Sequence, residues 1–307
     1  MRPFGGEWTE KKLGVLEKYL EAYLTIMHRN TTARCSFTTT YLDGFAGTGR
    51  RYAKQDSALN IGQIPLENLR PELDEQIAQE FVEYEGSVLR ALQKGKYGGF
   101  NNYIFIETDE IAIEKLQSLK QEFPEKNIEI INQDANSYIP QWCQSLGEYE
   151  RAVVFLDPFG LQVCWETIKA IAHTKKIDLW LLTPLGAILR MLPRHSLPSQ
   201  AFVDTLTRFF GTEKWQDAFY ASTGQPKLFE EESDDMQRII GVQQITGYFV
   251  KRLKQVFPPD HVLEEPMVLR NSRNSPIYML CFAASNPKGG KAALKIARDI
   301  IAKELRL

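Results

Sequence analysis

Apolar side chains recur every three or four positions near the start of the chain, at Leu13, Leu16, Leu20, Tyr23, Leu24 and Met27. That spacing predicts a helix with one stripe to bury. Thr9 is placed to cap it, Glu10 complements the positive end of its dipole, and Trp8 and Leu13 stand at staple spacing. Residues 37–42 then read as a strand rich in threonine and aromatics, which ends abruptly at Asp43-Gly44.

Past residue 100 the alternation becomes regular. Strands at 103–107, 128–131, 152–156 and 179–182 are separated by helical patterns at 111–123, 137–146 and 165–173. Strands alternating with helices of that length predict βαβ units and a parallel sheet. Residues 50–100 are less regular. Proline-containing stretches at 63–65 and 69–71 precede an acidic helical segment, Ser87 is placed to cap a helix to Gln93, and 94–99 is a glycine-rich stop.

After Pro184 the pattern turns helical, at 202–210 and again across 236–257. Ile239, Ile240, Ile245, Phe249, Leu253 and Val256 form the apolar stripe of the second. Strands at 262–269 and 277–284 flank the turn-rich 271–276 and predict a hairpin that closes the sheet edge. A helix over 291–305 follows, and the acidic run 230–235 reads as an exposed loop.

Composition narrows the class of protein. Of 307 residues, 43% are hydrophobic and 25% charged, the balance of an ordinary soluble globule. Apolar runs such as 152–156 and 179–182 are far too short to span a bilayer. No basic–apolar–small leader opens the sequence. Cys35, Cys143, Cys164 and Cys281 stand apart and read as reduced thiols, so a cytoplasmic protein is expected. With a net charge of −2, any grip on a nucleic acid backbone must be local. Arg50-Arg51 with Lys54, Arg190 with Arg194 and His195, Lys251-Arg252 with Lys254, and Lys288 with Lys291 and Lys295 are the basic groups available.

Several chemistries lack their residues. His28, His173, His195 and His261 offer no pair with metal-binding spacing, so no metal site is expected. Ser57, Ser87 and Ser196 have no nucleophile-elbow motif around them, and no Walker-type phosphate loop occurs.

The most specific element is Asp43-Gly44-Phe45-Ala46-Gly47-Thr48-Gly49, directly after a strand. Its glycines are spaced GxxGxG, not the GxGxxG of a dinucleotide fingerprint. Glycine suits a turn where backbone approaches a ligand. An acid at the strand end suits a ligand with an ammonium group, such as S-adenosylmethionine (SAM). A tight turn with a capping aspartate is the plainer explanation. Three further strand ends add weight: Glu107, Asp134 and Asp157-Pro158-Phe159-Gly160. Each acid alone is a common helix cap. Together, four successive strand ends offer an acid to one crevice, where such sheets bind ligands.

Residues 43–49 resemble the D-x-F-x-G-x-G motif of class I methyltransferases acting on exocyclic amino groups. Residues 157–160 are similar to their D-P-P-Y motif, but Phe159 stands where a second proline is expected and Gly160 where an aromatic is expected. Residues 41–50, Phe105-Ile106-Glu107, 155–160 and 278–287 together resemble the three-Cys-motif partner family, over most of the chain. That family occurs beside a second protein with three cysteines. The methyltransferase resemblance implies that Asp43, Phe45, Gly47 and Gly49 hold the methionine part of SAM, Glu107 the ribose and Asp134 the adenine amine. It implies that Asp157 and the Pro158 carbonyl accept hydrogens from a target amine. Phe159 is left either to stack on the target from a shifted position or to pack beneath the following helix.

The expected architecture is therefore α/β: a Rossmann-like class I methyltransferase fold with a seven-stranded, mostly parallel sheet. Residues 1–185 would form the SAM-binding core, with an insertion at about 50–100, because 58 positions separate Gly49 from Glu107 where an unbroken unit needs ~20. Residues 186–257 would form an embedded helical lobe, and 258–307 the closing hairpin and last helix, with the final strand antiparallel. Two functions remain in view. One is SAM-dependent methyl transfer to a nitrogen of nucleic acid or protein. The other is a partner protein that uses the fold to bind a three-Cys-motif protein.

Overall fold

The computed structural model describes residues 7–30, 36–54, 81–93, 98–222 and 236–306. The proline-containing stretches at 63–65 and 69–71, the acidic run 230–235 and Cys35 lie outside the described residues.

The chain begins with helix α1 (Glu7–Asn30), followed by strand β1 (Thr38–Asp43). A hairpin of β2 (Arg50–Lys54) and β3 (Phe81–Glu85) and helix α2 (Ser87–Gln93) separate β1 from β4 (Asn102–Glu107). Regular alternation follows: α3 (Glu110–Glu122), β5 (Ile128–Asn132), α4 (Ala135–Ser145), β6 (Glu150–Leu156), α5 (Trp165–His173) and β7 (Ile177–Thr183). Then come α6 (Leu185–Met191), α7 (Gln200–Phe210), α8 (Trp215–Phe219), the short strands β8 (Tyr220–Ser222) and β9 (Met236–Arg238), and α9 (Val242–Leu253). Strands β10 (Met267–Arg270) and β11 (Pro276–Ala284) and helix α10 (Gly290–Glu304) complete the described elements.

Seven strands form one sheet in the order β10-β11-β7-β6-β1-β4-β5. Strands β5, β4, β1, β6 and β7 pair in parallel. Strand β11 runs antiparallel to β7, and β10 pairs with β11 as the expected hairpin. This mixed sheet with helices on both faces is a Rossmann-like class I methyltransferase fold. The chain builds outward from β1 through β4 to β5, then returns to lay β6 on the other side of β1. The order therefore reverses between β1 and β6, the switch point at which sheets of this kind bind ligands.

Side chains alternate between the two faces with the period of a strand. Leu42, Ile104, Ile106, Val154, Leu156, Leu179 and Leu181 join a core with α4 and α5. Their neighbours Tyr41, Tyr103, Phe105, Val153, Phe155, Trp180 and Leu182 join the opposite core, roofed by α1, α2, α3 and α10. The helices between 185 and 257 belong to the first of these cores. Phe249 stacks on Phe209 with centroids 5.1 Å apart and meets Trp165 edge-on.

Four local expectations are corrected. Helix α1 starts at Glu7, so Thr9 lies inside it, buried, and not at a cap. Of the segment after Pro71, the described part is strand β3 and not helix. Ser87 is the first residue of α2, and its hydroxyl bonds to Asp43. The helical pattern over 236–257 is broken: Met236–Arg238 pairs with Tyr220–Ser222 as a strand, and α9 begins only after Gly241. Ile239 is left 59% exposed, outside the apolar stripe that its spacing suggested.

Candidate functional site

The carboxyl ends of β5, β4, β1 and β6 lie side by side, and they carry Asp134, Glu107, Asp43 and Asp157 in that order across the sheet. Asp43 and Asp157 end the two strands that flank the switch point. Asp43 lies beside Phe155 in the register, two residues before Asp157.

The glycine-rich turn after β1 is pinned to both neighbouring strands. The Gly44 N–H donates to the Phe155 carbonyl at 2.9 Å, and the Ala46 N–H donates to the Ile106 carbonyl at 3.0 Å. Gly47 and Gly49 have φ of +56° and +74°, the left-handed region that strains other residues. Their surroundings differ. A Cβ at Gly47 would meet nothing within 4 Å, whereas one at Gly49 would come within 2.8 Å of Leu119 Cδ2. Gly47 thus faces open space and Gly49 faces packing.

Asp43 is fully buried beneath this turn. Its carboxylate accepts the Phe45 N–H at 3.2 Å, the Ser87 hydroxyl at 2.6 Å and the Tyr41 hydroxyl at 3.3 Å. Burial pushes its pKa up to about 6; the hydrogen bonds pull the other way, and the nearby Asp157 charge adds to the rise. In this arrangement Asp43 braces the turn from below.

Glu107 stands at the rim. One carboxylate oxygen accepts the Gly47 N–H at 2.8 Å, and the other accepts the N–H groups of Thr108 and Asp109 at 2.7 and 3.0 Å. A carboxylate has about four acceptor sites, so three donors leave capacity for a ligand hydroxyl. Asp134 is exposed and caps α4, accepting from Asn136 and Ser137 N–H at 2.9 and 3.1 Å.

Asp157 is ion-paired with Lys12 of α1. The Lys12 side chain is 5% exposed and that of Asp157 27% exposed, so the lysine lies behind the carboxylate. The Lys12 ammonium also sits 5.3 Å from the Trp8 ring centroid, and Trp8 stacks on Tyr278 of β11 at 5.0 Å. Pro158 is buried, while Phe159 is 86% exposed. Of the two placements open for Phe159, packing beneath the next helix is not the one observed. Its loop is braced locally: the Phe159 N–H donates to Gln162 Oε1 at 2.9 Å, and Asn136 of α4 donates to the Gln162 carbonyl at 2.9 Å. The Asn136 side-chain oxygen also accepts from the Cys164 N–H and the Thr167 hydroxyl.

Sequence reasoning missed Lys12, Asn136 and Tyr278 as site neighbours. For Lys12 a signal existed: with Trp8, Leu16, Tyr19 and Tyr23 it falls at helical spacing on the apolar side of α1, where an unpaired charge is costly. Nothing in the sequence around Asn136 marks its bracing role.

No protein-family model and no curated protein sequence matches the chain. Solved structures do resemble it. Protein LPL1258 from Legionella pneumophila is 14% identical, with a TM-score of 0.48 over 97% of this chain and 92% of that one. Trm1 from Pyrococcus horikoshii, in complex with SAM, is 12% identical, with a TM-score of 0.41 over 92% of this chain and 58% of that one. A SAM-dependent methyltransferase from Clostridium acetobutylicum is 8% identical, with a TM-score of 0.32 over 87% of this chain and 91% of that one. These are likenesses in the course of the chain. The fold assignment rests on the strand order itself.

Among the described residues, no helix is long and apolar enough to cross a membrane.

Proposed function

We propose that the protein is a SAM-dependent methyltransferase acting on a nitrogen of a nucleic acid or protein. The observation that carries this is the row of four acids on adjacent strand ends, centred on the switch point. The chemistry of the row suits the cofactor. Spare acceptor capacity at Glu107 fits a ribose diol, Asp134 fits an exocyclic amine, and the open face of Gly47 admits a close ligand. Asp43 would act through the turn that it braces, with Phe45, Gly47 and Gly49 shaping the cradle. SAM, when bound, supplies an electrophilic methyl group. The chain's own task is then positioning: Asp157 and the Pro158 carbonyl orient the acceptor amine through hydrogen bonds, and exposed Phe159 offers a flat apolar surface beside them.

The departure from D-P-P-Y at Phe159-Gly160 favours a second reading, a non-catalytic partner of a three-Cys-motif protein that retains the fold for binding. Calorimetry with SAM and labelled-methyl transfer to total cellular RNA and protein separate the two. We expect SAM binding by the wild type, and at least a tenfold loss in Glu107→Ala, on the scale of one lost charge-assisted hydrogen bond. No binding to the wild type would overturn the cofactor assignment. Binding without transfer would favour the partner protein.

A further inference from the structure

We infer that Lys12 is a positioning residue that aims Asp157 at the methyl acceptor, an inference that rests on the methyltransferase reading of the site. Helix α1 lies apart from the strand-end motifs in sequence, yet it places an ammonium group directly on Asp157, 145 positions away.

The arrangement is directional. Lys12 donates to Oδ2 of Asp157, and no described residue hydrogen-bonds Oδ1. The lysine is almost wholly enclosed while the carboxylate keeps a solvent-facing edge. Asp157 therefore stands between a buried cation and the crevice, with one oxygen fixed and the other presented. An acceptor amine must donate an N–H to that presented oxygen if its lone pair is to face the methyl group. Fixing Oδ2 sets the plane of the carboxylate, so the acceptor geometry exists before the substrate arrives.

A purely structural role explains the burial poorly. Taking an ammonium and a carboxylate out of water is expensive, and a buried ion pair is on its own weak evidence for stability. Apolar side chains would fill the same space on α1, whose neighbouring positions Leu13 and Leu16 are buried and apolar. The lysine is also held by more than its partner. The Trp8 ring lies against its ammonium, and Trp8 is in turn stacked on Tyr278, so α1 and strand β11 together fix where the charge sits.

The test compares Lys12→Met, which keeps an apolar stem without charge, Lys12→Gln as a second neutral variant, and Lys12→Arg, which restores the charge. Each is measured for melting temperature, SAM affinity by calorimetry, and labelled-methyl incorporation into total cellular RNA and protein from pH 5 to 9. We expect SAM affinity within about twofold of wild type in all three, because Lys12 contacts the acceptor side of the site. Incorporation by the neutral variants should fall at least tenfold at pH 7, and Lys12→Arg should recover part of the loss. If the wild type transfers label and a folded neutral variant equals it across the pH range, Lys12 is structural and the inference is overturned. If the arginine variant is as impaired as the neutral ones while folded, charge is not what matters, and the inference also fails. A wild type that transfers no label overturns the methyltransferase reading and this inference with it.

Discussion

The hydroxyl of Ser87 donates to the buried carboxylate of Asp43 at 2.6 Å, across 44 positions of chain. That bond ties the helix after the hairpin insertion to the end of the central strand. The glycine-rich turn is therefore held from two directions, by the neighbouring strands and by α2.

Removing this bond should have a pH-dependent effect. Asp43 titrates near 6 in the folded protein, above its ordinary value of 3.8, because burial opposes its charge. The folded state thus binds this proton more tightly, and the group's contribution to stability is lost as pH rises from about 4 to about 6. Ser87 supports the charged form. Ser87→Ala should cost about 1–3 kcal/mol at pH 8 and clearly less at pH 5, read from urea unfolding at each pH. An equal loss at both would mean that the hydroxyl serves packing and not the carboxylate.

The two left-handed glycines should respond differently to alanine. Both substitutions force an L residue to positive φ, costing about 1–2 kcal/mol. Gly49→Ala adds a clash with Leu119, with about 1–3 kcal/mol more from overpacking. Gly47→Ala should fold nearly normally but lose SAM affinity by tenfold or more, since its Cβ would project into open space at the cradle. Thermal melts beside calorimetry decide it. Tight SAM binding by Gly47→Ala would remove this turn from the cofactor site.

A second buried acid makes its own forecast at the other end of the sheet. Asp178, on β7, accepts the Tyr19 hydroxyl at 2.7 Å, and burial raises its pKa to about 6. The sign matches that of Asp43: its stabilising contribution is present below about pH 4 and is lost as pH climbs to about 6. Asp178→Asn keeps an acceptor for Tyr19 and removes the charge. It should match wild type near pH 4 and exceed it by about 1–3 kcal/mol at pH 7.5. A variant less stable than wild type at pH 7.5 would show that the ionised form is favoured by its surroundings.

The sheet was legible because its signals are local. The short continuous apolar run at 152–156 and the abrupt stop at Asp43-Gly44 need no knowledge of distant residues. The failures have one cause, which is contact from far along the chain. Residues 236–238 carry helix-compatible side chains but are captured as a strand by Tyr220–Ser222. Thr9 has the chemistry of a cap, yet α1 extends past it toward the N-terminus. In the site, the strand-end acids could be read because each follows its strand directly. The pairing of Lys12 with Asp157 depends on how α1 docks, and one apolar stripe does not specify that.

That pairing changes what Asp157→Asn should do. If Asp157 only capped the turn before α5, asparagine would replace it with little change in stability. The ion pair makes a different outcome expected. Asparagine leaves the Lys12 ammonium buried beside a neutral amide, and breaking a buried pair from one side costs about 3–5 kcal/mol when the remaining charge cannot reach water. Trp8 offsets part of that loss, so a cost of about 2–3 kcal/mol is expected, visible as a lowered melting temperature. Methyl transfer should fall by about two orders of magnitude or more, the scale of losing one preorganised polar contact to a reacting group. SAM affinity should stay within about twofold, because Glu107 and Asp134 are untouched. The double variant Lys12→Met with Asp157→Asn separates the two losses. It removes the stranded charge, so stability should recover toward wild type while methyl transfer stays low. Recovery of both together would make the pair a scaffold element and place the acceptor's partner elsewhere along the strand ends.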